Sequence, residues 1–141
     1  DLVIDAPPAR SSPCSEGCQG AHSWADDGRR ACWRPTGAGR SAIEAGDRPR
    51  RTAAVDVERT LAQVPRALAA RWPMPREDFW RAWTRSEVRA KLHDVPILAW
   101  LARNGLDSTP RSDGGEQLIE YLWSGRVGDL TVTVGRLEEV L

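Results

Sequence analysis

Lysine, phenylalanine, tyrosine and methionine each occur only once in this chain of 141 residues. No apolar run approaches the roughly eighteen residues that a membrane-spanning helix requires, and the first residues lack the charged-then-apolar pattern of a secretory leader. Cysteine occurs three times, an odd number that argues against a disulfide framework. These absences predict a soluble protein of a reducing compartment, the cytoplasm, without a membrane partner.

The sequence motifs of common catalytic sites are also absent. There is no nucleophile elbow, P-loop, GxGxxG, HExxH or paired-carboxylate motif, and the GAG at 37–39 lies in a linker-like stretch. His93 and Asp94 come nearest to an acid/base pair, but adjacent residues at a helix junction are better explained as a C-terminal cation followed by an N-cap. We therefore predict no catalytic residue, and a protein that is not an enzyme is favoured.

Basic charge comes almost entirely from arginine. The single lysine leaves nineteen arginines among twenty basic residues, a preference typical of GC-rich coding sequence that suggests an actinobacterial or similar bacterial host. The net charge is zero, yet residues 28–52 carry seven basic against two acidic residues. Residues 93–141 carry four against eight. A basic middle is therefore followed by an acidic C-terminal part.

Every cysteine and one of the two histidines follow the pattern C-x3-C-x3-H-x9-C. Three thiolates and one imidazole are the ligand set of a tetrahedral structural zinc ion, and four protein ligands leave no open position for a catalytic water. Three reduced thiols, or one disulfide and a spare thiol, are the open alternatives. Asp26 or Asp27 as a replacement ligand would reopen a catalytic role. The predicted ligands of the structural zinc are Cys14, Cys18, His22 and Cys32.

Composition divides the chain into three parts. Residues 1–33 contain few large aliphatic side chains, so bound zinc is expected to fold an otherwise irregular segment. Residues 34–52 have the glycine, proline, serine and arginine content of a linker. Helical patterns follow, so residues 53–141 are predicted to form a helical domain.

Apolar spacing and capping signals predict short helices throughout that domain. An apolar stripe with helical spacing, interrupted by Pro65, is formed by Val57, Leu61, Val64, Leu68 and Trp72. Further helices are expected over Arg76 to Trp83, from the capping box at Thr84 to His93, over Ile97 to Asn104, and from the capping box at Asp113 to Ser124. Alternation over residues 130–134 predicts a short strand, and residues 136–141 a helical turn. The predicted fold is mostly α: a small helical bundle, with an optional short β wing, after the zinc-clipped segment.

Three stretches of the C-terminal half carry a recognisable pattern, namely WTRSEVRAKLHDVPILAWLARNG (83–105), LIEYLWSGRV (118–127) and TVGRLEEVL (133–141). With them, residues 79–141 resemble small actinobacterial helix-turn-helix regulators. In those proteins a W-x-x-x-x-[LV]-R-x-x-L helix, an aspartate-started helix and an I-x-x-[IL]-x-x-G-R recognition helix follow in order. The resemblance implies that residues 116–126 take the place of the recognition helix. Only residues 106–115 precede that segment, which is too short a stretch for the family's intervening helix.

Nucleic-acid binding, in the form of transcription regulation on duplex DNA, is the function that these features predict. Arginine-rich arms beside a zinc-clipped segment neutralise phosphates and give salt-sensitive affinity. The alternative is a non-enzymatic protein-interaction or adaptor module with surface tryptophans and an acidic C-terminal face, because aromatic residues and arginine dominate such interfaces. The predicted nucleic-acid contacts are Arg29, Arg30, Arg34, Arg40, Arg48, Arg50 and Arg51, together with Gln117, Tyr121 and Arg126 in the segment of the resemblance.

The zinc prediction can be tested by metal analysis of the purified protein. We expect close to one zinc ion per chain, and we expect Cys18→Ser to release it and to loosen residues 1–33, because zinc binding and folding of this segment are coupled. Hydrogen exchange measures the second effect. A metal-free protein with unchanged N-terminal protection would contradict the prediction.

Overall fold

The structure is a computed structural model that describes residues 2–5, 20–34, 53–109 and 118–139. Within these ranges the chain forms six strands and three helices. In chain order they are β1 (Leu2–Asp5), β2 (Ala21–Trp24), β3 (Arg30–Trp33), β4 (Ala53–Arg59), α1 (Arg66–Arg71), α2 (Arg76–Leu92), α3 (Ile97–Asn104), β5 (Leu118–Val127) and β6 (Leu130–Glu139). None of the described helices is long and apolar enough to cross a membrane.

The strands form two antiparallel sheets of three strands each, so the prediction of a mostly α fold is wrong. The strand order is β1-β3-β2 in the N-terminal sheet and β4-β6-β5 in the main sheet. The first of these sheets comes from residues that were predicted to be irregular. The fold is a mixed α and β fold, and its described helices do not form a helix-turn-helix bundle.

The central strand β6 is buried on both of its faces. Leu130, Val132 and Val134 are buried on one face. Thr131 and Thr133 are buried on the other. Because successive side chains of a strand point to opposite sides, this run of branched residues suits a strand that is covered on both sides. The predicted short strand is therefore confirmed, and it continues in place of the helical turn predicted after it.

The N-terminal sheet packs on the valine face of the main sheet. Two of its contributions are alanines, Ala25 and Ala31, whose small side chains let the two sheets approach closely. Trp33 is partly buried beside them. The core between the sheets consists of Ala25, Ala31, Val55, Val57, Leu130, Val132 and Val134.

Helix α2 packs on the opposite face of the main sheet. Val88 and Leu92 of the helix form an apolar cluster with Ala54 of β4. Beside this cluster, the hydroxyl oxygens of Thr84 and Thr133 lie 2.8 Å apart and share a hydrogen bond. The contact between helix and sheet is therefore partly apolar and partly a satisfied polar contact.

Two predicted helix boundaries had different outcomes. Helix α2 runs without a break through Thr84, because the Thr84 hydroxyl hydrogen-bonds to Arg81 of its own helix and to β6 and does not cap a new helix. The predicted helix Ile97–Asn104 is confirmed. It begins after Pro96 and ends at Gly105, whose φ of +83° favours glycine.

The prediction of a helix along the apolar stripe from Val57 to Trp72 is wrong for the first half of the stripe. Strand β4 extends to Arg59, and α1 begins only at Arg66. Val57 is buried in the sheet, whereas Leu61 is exposed. The residues of β4 also fit the two-residue alternation of a strand. Their pairing with β6 stabilises the strand in place of the predicted helix.

The prediction of a recognition helix over residues 116–126 is also wrong. Residues 118–127 form β5, which pairs with β6 along its whole length, and residues 116–117 lie outside the described residues. A two-residue turn, Gly128 and Asp129, joins the two strands, and Gly128 has a φ of +60°. A glycine with positive φ between alternating strands is typical of a β-hairpin.

The packing of α2 on β6 can be tested at Gly135, where no side chain separates the strand from the helix. We expect Gly135→Ala to lower the free energy of unfolding by about 1–3 kcal/mol, because the added Cβ would lie 2.5 Å from Leu122 Cδ2 and 2.6 Å from Val88 Cγ1. Gly125→Ala is the matched control, because the atoms nearest to its added Cβ belong to the half-exposed ring of Trp123 and not to the contact between strand and helix. Equal losses in urea denaturation would contradict this packing.

Candidate functional site

Two of the four predicted zinc ligands lie directly opposite each other. His22 on β2 and Cys32 on β3 are paired in register, so their side chains share one face of the N-terminal sheet with Cβ atoms about 5 Å apart. Cys14 and Cys18 lie outside the described residues. Among the residues that the structure describes, no group of three or more histidine, cysteine or acidic side chains could hold a metal. The zinc site stays a prediction.

The predicted nucleic-acid contacts are only partly within the described residues. Arg29 forms ion pairs with Asp27 at 2.7 Å and with Asp129, and it holds the pKa of Asp129 at about 2. These contacts join the turn after β2 to the turn after β5, so this guanidinium already has two carboxylate partners. Arg30 and Arg34 also lie within the described residues. Outside them lie Arg40, Arg48, Arg50, Arg51 and Gln117.

Tyr121 and Arg126, the other two predicted contacts, are on opposite faces of β5. Arg126 follows Tyr121 by five positions, an odd offset that places the two side chains on opposite faces of the strand, and their β6 partners are Thr131 and Arg136 respectively. Arg126 is exposed, with Nη1 3.7 Å from Glu77 Oε1. The strand therefore does not present the two side chains to one groove, as a recognition helix would.

The largest apolar feature of the described surface is one face of β5. Four side chains at alternate or near-alternate positions are exposed: Ile119 by 42%, Tyr121 by 45%, Trp123 by 52% and Val127 by 37%. We call these four residues the β5 surface. The N-terminal sheet covers the same side of the main sheet, but its core contacts are with β4 and β6. Strand β5 is also the last strand of the main sheet, so within the described part of the chain its outer edge has no neighbouring strand.

Neighbouring groups hold the aromatic side chains of the β5 surface in place. The ring of Trp123 lies across the backbone of Gly125, so close that a Cβ there would be 2.6 Å from the ring. The guanidinium carbon of Arg136 lies 4.9 Å from the centroid of the Tyr121 ring, which is cation–π geometry. Ordered aromatic side chains lose little conformational entropy on binding, so this surface is suited to protein contacts.

A charged network supports β5 from its other face. Arg89, only 4% exposed, donates from Nε to Glu120 at 2.7 Å and from Nη1 to Asp107 at 2.8 Å. Arg85 donates to Asp107 and, at 3.2 Å, to Ser124 of β5. Removing one partner of a buried ion pair leaves the other charge buried without compensation, which is strongly unfavourable. These contacts therefore hold β5 against α2.

No protein-family model, no curated protein and no solved structure matches this chain.

A second cluster of charged groups joins the two sheets to α2. The carboxyl of the buried Asp56 accepts hydrogen bonds from Ser23 at 2.9 Å and from Lys91 at 2.6 Å. Burial raises the pKa of Asp56, while Lys91 and Ser23 act in the opposite direction. The charge of Asp56 contributes to raising the pKa values of the nearby Glu58 and Glu87. No local sequence signal predicts this cluster, because its members come from β2, β4 and α2, which are distant along the chain.

The two glutamates make stability depend on pH. Burial, with a smaller contribution from Asp56, raises the pKa of Glu58 to about 8 and that of Glu87 to about 7. The folded protein thus keeps protons that the unfolded chain releases above its usual glutamate pKa of 4.5, so stability falls as pH rises from about 4.5 to about 8.

We therefore expect Glu58→Gln to be more stable than the wild type at about pH 8.5, by roughly 1 kcal/mol after allowance for its partial exposure, and nearly equal at about pH 5. Urea denaturation at both pH values measures the difference. Glu77→Gln removes an exposed carboxyl of α2 and serves as the control. The same gain at both pH values would show that desolvation of Glu58 is not its cause.

Proposed function

We propose that this protein is a non-enzymatic protein-interaction module whose binding site is the β5 surface. An extended segment of a protein partner adds as a further strand to the edge of β5, and its apolar side chains lie beside those of the β5 surface on the same face of the sheet. The observation that supports this proposal is the row of four exposed apolar side chains on a strand that ends the main sheet.

The chemistry of β5 favours pairing with another strand. Proteins usually protect a long edge strand with lysine, proline, an inward-pointing charge or a bulge, because its unpaired N–H and C=O groups attract other strands. Strand β5 is 10 residues long, pairs without interruption with β6, and contains neither lysine nor proline. Its inward-pointing charge, Glu120, is paired with Arg89 of α2 at 2.7 Å. Its exposed face carries only apolar and aromatic side chains at Ile119, Tyr121, Trp123 and Val127.

This site also determines the chemistry of the partner segment. Main-chain hydrogen bonds to β5 require an extended backbone, and contact with the β5 surface requires apolar side chains at alternate positions. Affinity from such a segment depends mainly on apolar burial and not on phosphate charge. Binding is therefore expected to change little with salt.

Duplex DNA as the partner, together with the structural zinc ion, remains a prediction from the sequence. The zinc proposal is supported by the opposed pair of His22 and Cys32. For DNA the distinguishing property is salt dependence, because affinity that comes from phosphate neutralisation falls steeply between about 50 and 200 mM salt.

Selection of random peptides on the immobilised full chain tests the proposed function. We expect selected peptides with alternating apolar residues whose affinity falls at least about tenfold in Trp123→Lys and stays close to wild type in Trp24→Lys, since Trp24 is an equally exposed tryptophan on β2. Amide chemical shifts should change mainly in β5. Selected peptides that bind the Trp123 variant as tightly as the wild type would refute the proposal, and steeply salt-dependent binding of duplex DNA would favour the alternative.

A further inference from the structure

We infer that the strand that pairs with the β5 surface is β5 of a second copy of this chain. This inference rests on the proposed function and names its partner. Two copies related by a two-fold axis perpendicular to the sheet would pair their β5 strands antiparallel. The two main sheets of three strands would then form one continuous sheet of six strands, in the order β4-β6-β5-β5-β6-β4.

One register of this pairing matches apolar residues with apolar residues. Opposed residues of an antiparallel pair lie on the same face of the sheet. The two-fold axis must therefore lie between one residue and the same residue of the second copy. With Trp123 at the axis, Ile119 lies opposite Val127 of the second copy, and Tyr121 lies opposite Gly125 of the second copy. Each of the four residues of the β5 surface then lies opposite an apolar residue or a glycine on the same face of the second copy.

The same register also pairs opposite charges. On the other face of β5, Glu120 comes opposite Arg126 of the second copy, and symmetry repeats the pair. A shift of the axis to Leu122 would place Glu120 opposite Ser124 and Arg126 opposite Leu118. A shift to Ser124 would place Ile119 opposite Asp129. Of these three registers, the one centred on Trp123 is the one that places Glu120 opposite Arg126 and Ile119 opposite Val127 together.

The arrangement of Trp123 and Gly125 leaves space at the axis. Each Trp123 ring turns toward its own Gly125, so the two rings at the axis do not compete for the same volume. Tyr121 of the second copy, opposite Gly125, would lie beside that ring. Aromatic side chains that cover a glycine across a strand pair stabilise sheets in this way. A side chain at position 125 would displace the ring, so the glycine is part of the complementarity.

Sedimentation of the full chain tests the inference through a pair of complementary variants. We expect the wild type at tens of micromolar to have twice the chain mass of 15.6 kDa. Ile119→Lys and Val127→Asp should each weaken self-association at least about tenfold, because each places an unpaired charge directly opposite an apolar residue of the second copy. Mixed in equal amounts, they should form a heterodimer, since one lysine then faces one aspartate. Leu98→Lys, at a 69% exposed position of α3, should remain dimeric.

Each result decides between the hypotheses. Heterodimer formation by the mixed variants supports the inferred register, because in a shifted register the two positions do not face each other. A wild type that is monomeric at these concentrations overturns the inference but leaves the proposed function standing if selected peptides still depend on Trp123. A dimer that persists in both single variants overturns the inference as well. If the selected peptides also bind independently of Trp123, both proposals fail.

Discussion

Burial of both faces of β6 is the constraint on which the rest of the structure depends. Its valine face needs an apolar cover, which the N-terminal sheet supplies, and its threonine face needs hydroxyl partners, which α2 and β5 supply. Strand β4 and strand β5 occupy its two edges. Among the described residues, the core contacts of the N-terminal sheet are with β4 and β6. The exposed apolar face of β5 is a consequence of this limited cover.

Polar contacts determine how α2 sits on the main sheet. The hydroxyl of Thr133 lies 2.8 Å from that of Thr84 in α2 and 2.8 Å from that of Ser124 in β5. At the other side of the helix, Lys91 donates to Asp56 and to the carbonyl oxygen of Val55 at 3.0 Å. A slide of the helix along the sheet would leave these buried groups unsatisfied, which costs about 1–3 kcal/mol for each group. Apolar packing alone would tolerate a larger choice of positions.

The sequence predicted elements whose signals are local. Helix α3 has a proline at its start and a glycine at its end, and the branched residues of β6 alternate over several positions. The segment that forms β5 carries signals for both a helix and a strand, and long-range pairing decides between them. The turn glycine Gly128 with Asp129 was the available strand signal. Similarly, the spacing of His22 and Cys32 suggested shared chemistry, but only the register of β2 and β3 places them opposite each other.

The two edges of the main sheet are treated differently, and this asymmetry bears on function. Strand β4 is held beside β2 by the hydrogen bond from Ser23 to Asp56, and the turn after β2 binds Arg59 through both oxygens of Asp26 at 2.7 and 2.8 Å. The comparable charged contact of β5 lies on the face that packs against α2, where Arg89 binds Glu120. That support fixes the strand without covering its edge. A rigid, apolar and uncovered edge is therefore the part of the described surface best prepared to pair with another strand.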